Sequence, residues 1–185
     1  MSGTCKQAFT LIELLVAIAI ILLMATISVP AYKSLFPNIE RNNFLSQLEQ
    51  LTTFAWHNAL TTNKIHAIVF DVRERHRQVR VQVDSGQRET TGKIVLANIK
   101  NAHVQTSVAI PPTLEIKNFI IEGFDEASKG RLEQAYFYIM PDGLAQRVTI
   151  NMIDTKHRIG GRARQIGLVL NPFSARFKVY DQFQK

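Results

Sequence analysis

The chain has very little cysteine, and it lacks the short motifs of common enzyme active sites. Cys5 is the sole cysteine among 185 residues, so the body of the protein can form no internal disulfide and no thiolate metal site. The five histidines show no ligand spacing, and no nucleophile elbow, phosphate loop or dinucleotide fingerprint occurs. We therefore expect no metal, no cofactor and no enzymatic activity.

Acidic residues are outnumbered by basic ones. The 15 Asp and Glu stand against 22 Lys and Arg, which gives a net charge of +7. This balance suits contact with anionic lipid, acidic partners or nucleic acid. The length and the 46% hydrophobic content fit one globular domain with an appended segment.

A long apolar run lies near the N-terminus. Leu14 to Val29 contains no charged residue, but its 16 residues fall short of the roughly 20 that cross a bilayer. Extending the segment back to Phe9 gives 21 residues, or about 31 Å of helix. The predicted span therefore includes Glu13, and the short polar segment before it is typical of a targeting sequence.

Glu13 is the most informative residue of this segment. A carboxylate inside a spanning helix costs on the order of 2.5–3.5 kcal/mol at mid-bilayer and less near the interface. The helix dipole contributes only about 0.3–1 kcal/mol, which is insufficient unless Glu13 reaches the headgroups. No basic residue lies between Phe9 and Val29, so a partner cation must be a chain terminus or belong to another subunit.

The helix is predicted to continue beyond the apolar run. Pro30 and Pro37 each remove a backbone donor, so we expect a bend or loosening at both. One apolar stripe then recurs at helical spacing up to about Leu60, and it predicts a face that packs on the following domain. Its members are Phe44, Leu48, Leu51, Ala55 and Ala59.

From Lys64 onward the hydrophobic period becomes that of strands. The runs 65–69 and 79–83 alternate with polar residues, as half-buried strands do, and Pro141-Asp142-Gly143 predicts a hairpin between two further strands. These patterns predict an α+β fold, with a long N-terminal transmembrane α-helix packed on a β-rich domain. Further strands are expected at 93–97, 114–121, 134–140, 144–151, 164–170 and 175–180.

The stretch FTLIELLVAI, residues 9–18, closely resembles the N-terminus of type IV pilins and of the pseudopilins of type II secretion. The resemblance implies that a prepilin peptidase cuts between Ala8 and Phe9 and methylates the Phe9 amine. It also implies that Glu13 is the assembly glutamate and that Pro30 is the family's helix proline. Ala8 departs from the pattern, because the family usually has Gly before the cut.

The β-rich part looks like the H-type minor pseudopilins and the related FimT-like minor pilins, through residues 136–143 and the strands that follow. The resemblance implies that the long helix packs on a C-terminal antiparallel β-sandwich. It also implies a leader at 1–8, a transmembrane helix at 9–30, a helical extension at 31–61 and a periplasmic domain at 62–185. The chain would cross the bacterial inner membrane once, with a cytoplasmic N-terminus. Expected partners are major and minor pseudopilins, the prepilin peptidase, the inner-membrane secretion platform and membrane lipid.

Two basic segments leave an alternative open. Arg158, Arg162 and Arg164 lie in an expected flexible loop, and GRAR resembles a motif of DNA-binding FimT-like pilins that act in natural transformation. In those pilins the motif lies near the C-terminus, whereas 21 residues follow Arg164 here. Arg73, Arg75 and Arg77 predict either a cationic ridge or a solvated edge strand.

A third alternative is an ordinary secreted β-protein. The segment Val29-Pro30-Ala31 is a tolerable signal-peptide cleavage site, and the mature chain would then start near Tyr32. Glu13 disfavours this interpretation, because signal-peptide cores avoid charge.

Overall fold

The computed structural model describes residues 11–74, 76–99, 104–130 and 132–185. Over these residues, one long helix precedes ten strands and a single 3₁₀ turn at Glu126–Lys129. The elements are α1 Leu11–Thr62, β1 His66–Asp71, β2 Gln78–Arg88, β3 Ile94–Asn98, β4 Ser107–Ala109, β5 Leu114–Ile121, β6 Phe124–Asp125, β7 Gln134–Ile139, β8 Val148–Ile159, β9 Arg162–Asn171 and β10 Arg176–Tyr180.

The chain divides into two compact units, Met1–Ile39 and Glu40–Lys185. In the first unit, the large apolar side chains from Leu11 to Met24 are 47–80% exposed. No helix in the described ranges combines the length and apolar character needed to cross a membrane. The membrane-spanning role of residues 9–30 stays a prediction.

The helix α1 is continuous through residues 30 and 37, the two positions where a bend is predicted. It ends at Thr62, two residues beyond the predicted end, and is followed by Asn63 with φ 52°. Asparagine tolerates this left-handed conformation, which commonly terminates helices. A bend at Pro30 or Pro37 stays a prediction.

In the second unit, two antiparallel sheets face each other across one core. The first has the order β3-β2-β1-β7, with β4 also paired to β2, and the second has the order β10-β9-β8-β5-β6. Phe70 of β1 meets Phe119 of β5 edge to face, with ring centroids 5.1 Å apart. The predicted helix stripe joins this core, since all five of its residues are at most 2% exposed.

Two local predictions differ from the structure. All six residues of β1 are buried, not half-buried, because β2 and β7 flank it on both sides. The cross-strand neighbours of Val69 are the long side chains of Arg80 and Tyr136.

The turn at residues 141–143 forms, with Gly143 at φ 85°, and Ile139 bridges Ala145 across it. Backbone hydrogen bonds from Met140 N to Leu144 O and from Gln146 N to Tyr138 O also cross the turn. The strands β7 and β8 then enter different sheets, so the hairpin is limited to the residues next to the turn and does not pair the two strands along their length as predicted.

Candidate functional site

The N-terminal candidate site is described only in part. Glu13 lies in the first described turn of α1, with an exposed side chain among exposed apolar neighbours. The predicted cleavage and methylation positions, Ala8 and Phe9, lie outside the described residues, and Pro30 lies within α1. The structure therefore places a carboxylate within an exposed apolar helical segment.

The basic segment predicted as a flexible loop is the tip of a tight hairpin. The strand β8 ends at Ile159 and β9 begins at Arg162, so only Gly160 and Gly161 connect them. Both glycines have positive φ, 58° and 81°, as two-residue hairpin turns require. The prediction of a loop was wrong, because the Gly-Gly pair makes a turn that matches the twist of paired strands.

The three arginines of this segment do not share one surface. Arg158 pairs in register with Ala163, and Arg162 pairs with Ile159. Because side chains alternate along strands, Arg162 and Arg164 lie on one face and Arg158 lies on the other. Arg158 and Arg162 are exposed, whereas the Arg164 side chain is only 24% exposed.

Arg164 is held in an ion pair. Its Nη2 donates to Oδ1 of Asp181 over 2.5 Å, and this bond lowers the pKa of the Asp181 carboxyl. A guanidinium that is already paired and half buried is less available to a phosphate backbone. This arrangement disfavours the DNA-binding alternative, which stays a prediction.

Arg164 belongs to a set of four charged side chains that we name the Arg41 cluster. Its members are Arg41 of α1, Asp154 of β8, Arg164 of β9 and Asp181, which follows β10. Arg41 and Asp154 are 8% and 1% exposed, and Arg41 Nη1 lies 4.0 Å from Asp154 Oδ2. Burial and the charge of Arg164 lower the pKa of Arg41. The other Asp154 oxygen accepts the N–H groups of Lys156 and His157, at the irregularity in β8.

The C-terminal tail, residues 181–185, folds back on the second sheet. The amide of Asn151, which is 3% exposed, donates to Gln184 O over 2.8 Å and accepts from Gln184 N over 2.9 Å. A Cβ at Gly167 would lie 2.4 Å from Gln182 O. Residue 167 must therefore be glycine, because a side chain there would collide with the backbone of the tail.

The second basic segment stabilises the fold. Arg73 forms a two-point ion pair with Asp71, and Arg77 donates to the carbonyl oxygen of Leu114. Arg75 lies outside the described residues. Arg73 and Arg77 thus bind groups of the same domain, and the described residues of this segment form no free cationic ridge.

The comparison with protein families concerns the N-terminal segment. Residues 4–29 match the prokaryotic N-terminal methylation motif. The match confirms the predicted resemblance to type IV pilins and pseudopilins, and it covers Ala8, Phe9 and Glu13.

Beyond the methylation motif, the comparisons find little. The fold is similar to that of the minor pseudopilin EpsH from the type 2 secretion system of Vibrio cholerae, with a TM-score of 0.48 and 9% identity over 76% of this chain and 95% of that chain. No curated protein matches the sequence.

The methylation motif was visible in the sequence, but the Arg41 cluster was not predicted. One signal could have found part of it, because Ile150, Met152 and Asp154 occupy alternate positions and all are buried. An acid at an inward-facing strand position indicates a buried polar contact. Arg41 carries no such signal, since it follows Glu40 in a polar stretch of α1.

Proposed function

We propose that this chain is a structural subunit of a type IV pilin-like filament, and specifically a minor pseudopilin of a type II secretion system. The observation that carries the proposal is the match of residues 4–29 to the N-terminal methylation motif. The similar pilins and pseudopilins are structural proteins, and we propose the same for this chain. Its work is assembly and the transmission of motion, not catalysis.

Maturation creates the charge that assembly needs. The prepilin peptidase cuts between Ala8 and Phe9 and methylates the new amine of Phe9. An α-amino group has a pKa of about 8, so it is largely cationic at neutral pH. Glu13 of one subunit pairs with the Phe9 amine of its neighbour, and this pairing offsets the cost of holding a carboxylate within the membrane.

The proposed location is the bacterial inner membrane. The exposed apolar side chains of the first unit support it, because an exposed apolar surface of this extent marks contact with lipid or with protein. Residues 9–30 cross the bilayer, the N-terminus faces the cytoplasm and the β-rich domain lies in the periplasm. Other pseudopilins and the inner-membrane secretion platform contact the subunit there.

A role in secretion is favoured over DNA capture by one contact. Arg164, one of the two arginines of the GRAR motif in the DNA-binding alternative, is paired with Asp181 within the domain. The sequence pattern of the β-rich part resembles the H-type minor pseudopilins. In this role the short filament pushes folded proteins through an outer-membrane secretin.

Substitution of Glu13 tests the proposal. We expect Glu13→Gln to be processed normally but to lose most of its incorporation into filaments, because the amide cannot form an ion pair with the neighbouring amine. Co-pelleting with filaments sheared from cells that express the companion pseudopilins measures the loss. Glu40→Gln, which neutralises an exposed acid on the same helix, is the matched control. Equal incorporation of the Glu13→Gln variant and the parent would show that the proposed assembly contact is wrong.

A further inference from the structure

A cavity of about 230 Å³ lies in the second unit beside the Arg41 cluster. Its polar lining comes from Arg41, Asn42, Arg164 and Asp181, and its apolar lining comes from Leu45, Ile166 and Val179. Asn42 Oδ1 accepts from Nε and Nη2 of Arg41. One water molecule takes up about 30 Å³ of liquid, so the space is several times larger than a single water requires. A small charged group with an apolar neighbour fits these dimensions and this lining.

One buried donor at this cavity, Nε of Arg164, lacks a hydrogen-bond acceptor among the residues that the structure describes. Within the same residues, Arg41 Nη1 and Asp154 Oδ2 also lack hydrogen bonds, but they lie 4.0 Å from each other as an ion pair. Buried polar atoms in native proteins are nearly always hydrogen-bonded. Because a guanidinium has donors only, the group missing at Arg164 Nε must be an acceptor.

The geometry favours a carboxylate as that acceptor. Asp181 contacts Nη2 of Arg164 through Oδ1, and its side chain is 76% exposed, so it can swing away without loss of buried area. An arginine presents Nε and Nη2 as a planar fork that matches the two oxygens of a carboxylate. The second guanidinium, Arg41, adds positive charge to the same cavity, and its buried counter-charge is Asp154, which does not line the cavity.

We propose that this cavity is a binding site for a carboxylate group, with Arg164 as the forked donor and Arg41 as the second cation. Asp181 is the internal competitor that the ligand displaces. The apolar lining by Leu45 and Val179 accommodates an apolar group next to the bound carboxylate. The carboxylate comes either from a free organic anion or from an acidic side chain of another protein.

Titration calorimetry on the full chain in a zwitterionic detergent at low ionic strength tests this site. The two probes are sodium acetate and a short blocked peptide with one glutamate between leucines, and the same peptide with glutamine is the blank. We expect Arg164→Gln to weaken binding of the bound probe by about tenfold or more, the scale of a lost hydrogen bond to a charged group. Asp181→Asn is expected to strengthen binding, because it removes the competing carboxylate.

Arg162→Gln is the matched control, because Arg162 lies two residues away on the same strand and is exposed. Arg164→Lys keeps the positive charge but lacks the planar fork, so it is expected to bind the probe with reduced affinity. It also serves as a second variant if Arg164→Gln does not fold. Tighter binding of the peptide than of acetate assigns the site to an acidic side chain of a partner, and equal binding assigns it to a free anion. The site is disproved if neither probe binds, or if Arg164→Gln and Arg162→Gln bind alike. None of these outcomes depends on cleavage at Phe9 or on filament assembly.

Discussion

Asp71 shows how a single buried carboxylate is stabilised in this domain. It is 1% exposed at the end of β1, and Oδ1 accepts from Arg73 Nε over 2.8 Å. Arg80 adds a second cation 3.9 Å from Oδ2. The hydrogen bonds from Arg73 lower the pKa of Asp71 against the opposing effect of burial.

We predict that Asp71→Asn lowers the free energy of unfolding by about 1–3 kcal/mol at neutral pH, because charge-assisted hydrogen bonds in a buried site are lost. The pKa of Asp71 is depressed in the folded state, so its contribution is fully present above the unfolded value of about 3.9. That contribution is lost as the pH falls through the folded pKa. The difference between variant and parent should therefore shrink in acid.

Urea unfolding of both proteins at pH 7 and at progressively lower pH measures this difference. Glu115→Gln is the control, because Glu115 pairs with Lys117 at a half-exposed position where ion pairs contribute little. An Asp71→Asn variant as stable as the parent at pH 7 would contradict the assigned role of this carboxylate.

At the scale of elements, the tail and β9 depend on each other. Gly167 leaves room for the tail, Asn151 binds the backbone of Gln184, and Asp181 pairs with Arg164. The tail is not a strand, yet it is fixed at three positions along its short length. The tail can therefore occupy this position only because residue 167 has no side chain.

We predict that Gly167→Ala releases the tail, because the new methyl group would lie 2.4 Å from the carbonyl oxygen of Gln182. Backbone cannot approach a Cβ so closely, and the terminal segment moves more readily than the paired strand β9. Carboxypeptidase should then remove C-terminal residues faster than from the parent, with little change in far-UV circular dichroism. Gln165→Ala, an exposed substitution on the same strand, serves as the control, and equal digestion of all three proteins would refute the tail contact.

The elements with a clear hydrophobic period could be predicted, whereas their pairing could not. The stripe from Phe44 to Ala59 and the strand 114–121 follow directly from spacing, and both are confirmed. The short strands β4 and β6 were missed, because three and two residues are too few to show a period. The turn after Met140 was predicted correctly, but β7 and β8 on its two sides join different sheets and not each other. Turn residues determine the local reversal of the chain, and they do not determine which sheet each strand joins.

The candidate sites divide in the same manner. Phe9 and Glu13 form a contiguous motif, so the sequence alone indicates the chemistry that they share. The Arg41 cluster joins residues from α1, β8, β9 and the tail, and only the folded domain brings them together. Long-range ion pairs of this kind leave no spacing signal.

At the scale of the whole molecule, the two units have different requirements. The second unit buries its own core of helix and sheet residues, so its stability comes from packing within the chain. The first unit exposes its large apolar side chains from Leu11 to Met24, and exposed apolar surface of this extent is typical of segments that contact lipid or protein. The proposed maturation at Phe9 belongs to this unit and connects the chain to its assembly.

The N-terminus of the chain isolated from membranes of cells that contain a prepilin peptidase tests this account most directly. Mass spectrometry of the N-terminal peptide is predicted to find a chain that starts at Phe9 and carries one methyl group on its amine. Ala8→Gly should give the same product, since it restores the residue usual before the cut. A chain that retains Met1, or one that starts near Tyr32 as an ordinary secreted protein would, contradicts the account.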